Sequence, residues 1–70
     1  MKDDITMRVL RNIDFYVENK KPDIWVRRDQ IVTAENEFRK LQAEGKITSA
    51  TLRPSWSCKG SVNFIMQYPD

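Results

Sequence analysis

The chain has 70 residues, one cysteine and no histidine, and its 12 basic and 10 acidic side chains leave a net charge of +2. That length predicts a single domain, residues 1–70, with a marginal core, since about 60% of the unfolded surface is buried in a chain of this size. One sulfur and no imidazole exclude an intrachain disulfide, a Cys/His zinc site and a histidine general base, so no metal and no cofactor is expected.

A hydrophobic content of 40% and a charged content of 31% fit a folded chain and not a disordered one. No run of 18 apolar residues predicts a membrane span, and the charged start Met1-Lys2-Asp3-Asp4 does not read as a signal peptide. A cytoplasmic location is the resulting expectation. The net charge is too small to argue for nucleic acid by itself. Its distribution says more: between Gly45 and Pro69 there is no acid, while Lys46, Arg53 and Lys59 are present. With so few charges, chance produces the same pattern.

Residues 4–20 read as a first helix capped by Asp3 or Asp4. Ile5, Val9, Ile13 and Tyr16 share one side of it, widened by Leu10 and Val17. Lys20-Lys21-Pro22 is the predicted stop, because proline disfavours α geometry in the residue before it. Phe15 falls off the apolar stripe, near Arg8. Either a later segment covers it, or it is an exposed aromatic flanked by Arg8 and Arg11 and contacts a partner.

Asp23–Val26 predicts a short edge strand or an extended connector, with Trp25 as a core or subcore anchor. Arg27–Val32 is too short for a full helix and reads as one turn that drops Ile31 into the core. Thr33 is the predicted N-cap of a second helix, with Glu35 and Glu37 in its first turn. Ala34, Phe38 and Leu41 line its inner side, and Gly45 stops it. Glu35 and Arg39 are spaced as an i,i+4 pair, and the opposite side carries Asn36, Arg39, Lys40 and Ala43.

From Lys46 the period changes to two. Ile47–Arg53 is a strand candidate with Ala50 and Leu52 on one face; Ile47 has the wrong parity and marks a junction or a bulge. Pro54–Ser61 is a turn-rich loop with Gly60 in the left-handed position, and Val62–Tyr68 is the stronger strand. Two strands joined by such a loop make a long-tipped antiparallel hairpin. The expected fold class is therefore α+β, helices followed by a C-terminal hairpin.

This order, with Phe38, Leu41, Glu44, Gly45 and Ile47 closing a helix before a hairpin, resembles the winged helix, the helix-turn-helix variant with a β-hairpin wing. The stretch DQIVTAENEFRKLQAEGKI is also similar to short prophage-type winged-helix proteins of the YjcQ kind. The resemblance implies a phage or mobile-element type of binding module. As a DNA-binding regulator it would read the major groove of double-stranded DNA with helix 33–44 through Asn36, Arg39 and Lys40. Arg27 and Arg28 would hold phosphates, and Arg53 and Lys59, with Trp56, would contact the backbone or minor groove. The other expectation is a protein-interaction module, self-associating as a homodimer or binding a host protein through Phe15, Trp56, Arg8 and Arg11.

An enzyme is not expected. "AEGK" holds a single glycine and follows a helix instead of opening one, so it does not cradle phosphate. Cys58 stands beside Lys59 but no base partner is evident, which leaves a surface thiol or a half-buried small residue.

Overall fold

A computed structural model describes residues 2–53 and 60–70. Its elements are α1 (Lys2–Glu18), β1 (Asp23–Arg27), a single 3-10 turn (Arg28–Gln30), α2 (Ile31–Ala43), β2 (Ser49–Arg53) and β3 (Ser61–Gln67). The class is α+β, as expected, and the arrangement has the general form of a winged-helix-like domain. The strand order is β1-β3-β2, antiparallel throughout. β2 and β3 form the predicted hairpin, and β1 joins the far side of β3, so the last strand is the central one. The tip segment 54–59, with Trp56, Cys58 and Lys59, lies outside the described residues.

Both helices end in the same way. The N–H of Lys21 bonds to Tyr16 O and that of Lys20 to Val17 O; Lys46 N–H bonds to Leu41 O and Gly45 N–H to Gln42 O. Each pair is a Schellman closure, which requires a left-handed residue just past the helix. Gly45 fills that place at φ 80°, whereas Lys20 fills it at φ 52°. The left-handed turn at Lys20, and not Pro22 alone, ends α1 two residues before the predicted stop. At the other end α1 already starts at Lys2, so Asp3 and Asp4 lie within the helix and not at the predicted cap position.

The segment between β1 and α2 holds the expected single turn, a 3-10 turn at Arg28–Gln30, and corrects the start of the helix after it. The turn runs straight into α2, which begins at Ile31. Thr33 is therefore inside the helix, Gln30 holds the N-cap position without a side-chain cap bond, and the first turn carries no acid. Tertiary packing fixed this start, since Ile31 packs against the core one turn before the apolar stripe begins. The described ion pairs are Arg27–Asp29 and Lys46–Glu44; Glu35–Arg39 does not form one.

The core lies between the helices and one face of the sheet. Ile13 and Val17 of α1, Ala34, Phe38 and Leu41 of α2, and Ile24, Val26, Val62, Phe64 and Met66 of the sheet are all buried. Phe38 and Phe64 pack with ring centroids 4.9 Å apart. Burial of side chains this size is worth about 1.5–3 kcal/mol each. Ile47 is buried too, at the junction between α2 and β2, which resolves its parity. The Tyr68 hydroxyl donates to Lys21 O, tying the chain beyond β3 to the end of α1, and burial raises its pKa.

Candidate functional site

Alternation along β1 places Ile24 and Val26 inward and Asp23, Trp25 and Arg27 outward. Helices cover only the inner face, so Trp25 is 46% exposed and is not the core anchor that its size predicted. On the outer face Trp25 sits opposite Asn63, which in turn sits opposite Arg53. Asn63 is buried there, and its Nδ2 donates to Asp23 Oδ2 at 3.1 Å and to Ile24 O at 3.3 Å. Arg27 donates from Nε and a terminal nitrogen to both carboxylate oxygens of Asp29, at 3.2 and 3.1 Å.

Four consecutive β1 residues, Ile24 to Arg27, line a groove of about 320 Å³ against Arg8, Val9, Asn12 and Ile13 of α1. When inward and outward residues both line a groove, the strand's edge forms its wall. The lining holds Arg8 and Arg27 and no carboxylate. Phe15 lies seven residues past Arg8 and three past Asn12, on the same strip of α1. No described segment covers it: Phe15 is 57% exposed and meets Tyr16 edge-on at 6.3 Å. Arg11 is exposed on the same helix outside the groove.

The residues predicted for DNA contact fall in separate places. Asn36, Arg39 and Lys40 are exposed on α2, which packs on the inner face of the sheet. Arg27 and Arg53 stand on the outer face, away from α2. Arg28 is exposed in the 3-10 turn, its N–H bonded to Gly60 O. Arg39 lines a shallow cleft with Glu35, Phe38 and Ala50.

Sequence reasoning missed the buried carboxyl Glu37. It lies on the Ala34–Leu41 stripe, at i+3 and i−4, and that spacing was the available signal. Its pKa is raised to about 7, first by burial and then by a hydrogen bond and repulsion from Asp14 of α1, with Lys40 opposing. Among the described residues no group of three or more acidic or sulfur ligands is placed to hold a metal ion, and no helix is long and apolar enough to cross a membrane. No protein-family model matches the chain, and no curated protein or solved structure does so.

Proposed function

We propose that this chain is a small non-catalytic protein-interaction module that engages its partner on the α1–β1 side. The observation that carries the reading is the exposed Trp25 with Arg8 and Arg27 on one groove, and a second exposed aromatic, Phe15, on the strip of α1 that carries Arg8. Aromatics and arginine are the side chains that most often anchor protein interfaces. A domain this small gains few kcal/mol from its own core, and leaving two large aromatics in water adds nothing to it. Arg8 on the groove and Arg11, exposed on the same helix, belong to the same proposal.

Site-specific photo-crosslinking tests it. A benzoylphenylalanine at position 15 or 25 is expected to give a protein adduct in cells, whereas one at Val32, 70% exposed on α2, gives none. Adducts at position 32 alone would refute the reading. Asn36, Arg39 and Lys40 standing together on α2 favour a second reading, a DNA-binding regulator. Its test is binding to duplex DNA across a salt titration, where Arg39→Ala with Lys40→Ala should weaken binding and flatten the salt dependence.

A further inference from the structure

We infer that the α1–β1 surface pairs with a second copy of this chain, by antiparallel addition of β1 to β1 across a two-fold axis at Trp25. This rests on the protein-interaction reading and names the partner. The first support is the hydrogen-bond parity of the edge. Met66 N–H bonds to Pro22 O and Arg28 N–H to Gly60 O, in line with the β1–β3 register. Even-numbered residues of β1 therefore point their N–H and C=O groups at β3. Asp23, Trp25 and Arg27 point theirs at the open edge, because β1 is an outer strand. Among the described residues no turn, loop or side-chain hydrogen bond uses those outward groups.

The second support is that Asp-Ile-Trp-Val-Arg is complementary to itself when reversed. With the axis at Trp25, Asp23 falls opposite Arg27 of the second copy, and Arg27 opposite its Asp23. The odd residues that carry the free backbone groups are the ones brought into register, so all three pairs can exchange N–H···O=C bonds. Trp25 meets its own copy on the outer face, and Ile24 meets Val26 on the inner one. Opposite charges and paired aromatics directly across strands are the favourable cross-strand pairs. Asn63 already holds the Asp23 carboxylate on the outer face, and the Arg27–Asp29 pair, exposed on both sides, exchanges at little cost. The result is one continuous sheet, β2-β3-β1-β1-β3-β2, with the self-complementary contacts a two-fold interface requires. Phe15 shares the strip of α1 that carries Arg8, a lining residue of the groove.

Sedimentation equilibrium over a concentration series, with amide exchange read residue by residue, tests this on the full chain. A dimer is expected, with the N–H groups of Asp23, Trp25 and Arg27 gaining protection as the dimer fills. Arg27→Asp sets like charges opposite each other twice per dimer and should weaken association about tenfold or more. Adding Asp23→Arg to it restores the opposite-charge pairs and should recover most of that loss. Trp25→Pro removes an outward N–H that the β1–β3 ladder does not use, so the monomer should fold while association is lost. A monomer at all concentrations, a dimer whose three amides exchange freely, or a double variant no better than Arg27→Asp overturns the proposal. If those amides gain protection only on adding a protein captured at position 15 or 25, self-pairing is refuted while the interaction reading stands. No such adduct and no self-association refutes both.

Discussion

Replacing Glu37 by glutamine removes a charge that the fold buries at a cost. The Glu37 residue is 6% exposed, and its carboxyl shares a hydrogen bond with Asp14 across the α1–α2 contact. Burial is the largest cause of its raised pKa, followed by the Asp14 hydrogen bond and charge; Glu44 adds to them and Lys40 opposes. The folded value is about 7 against 4.5 for the free group. Between those values the folded state binds more protons than the unfolded chain, so stability falls as pH rises from about 4.5 to about 7 and then levels off. At 1.36 kcal/mol per pH unit the full fall is about 3 kcal/mol. Glutamine keeps a donor for the Asp14 carboxylate and cannot ionise. Chemical denaturation followed by circular dichroism from pH 4 to pH 8, at one fixed protein concentration, measures the effect. The wild type should lose about 1–3 kcal/mol over that range, and Glu37→Gln should stay nearly flat and be the more stable of the two at pH 8. In a domain this small, each kcal/mol moves the thermal midpoint by roughly 4–8 °C. Equal pH profiles for the two proteins, or a Glu37→Gln variant less stable at pH 8, would refute the reasoning.

The two helix closures give a matched pair: Lys20→Gly should stabilise by about 1 kcal/mol, and Gly45→Ala should destabilise by about 1–2 kcal/mol, in urea unfolding. Phe38→Ala, which opens a cavity against Phe64, should cost about 3–5 kcal/mol, whereas Trp25→Ala at dilute concentration should change monomer stability by under about 1 kcal/mol. A large loss from Trp25→Ala in a monomer would mean that the outer face is covered. Asn63→Ala removes the buried amide that donates to Asp23 and Ile24 and should cost about 1–3 kcal/mol, measured in the same way.

Periodicity made much of the fold legible. The Ile13–Val17 and Ala34–Phe38–Leu41 stripes and the alternation of Val62, Phe64 and Met66 named most of the core before any coordinates. Gly45 marked the end of α2, and Gly60 the left-handed place before β3. These features follow from local backbone geometry, which repeats every 3.6 or 2 residues and leaves its mark in the chain. The start of α2 was misplaced because Thr33 offers a good cap and the helix did not need one: packing of Ile31 on the core begins the helix earlier. Lys20 gave no sign of its left-handed turn, since lysine rarely takes that conformation and the Schellman bonds hold it there.

For the candidate site the division is sharper. The sequence by itself determined that Asp23–Val26 is extended, and that Phe15 lies off the apolar stripe of a helix, near Arg8. It could not say whether Trp25 or Phe15 is covered, because alternation assigns two faces without saying which one the helices occupy. Only the tertiary structure decided that β1 is an outer strand paired to the last one, that its odd residues leave their backbone groups at the open edge, and that α1 lies beside that edge. The same packing that exposes Trp25 buries Glu37: both are set by which long-range neighbour arrives, and contacts between residues far apart in the chain leave no local period to read.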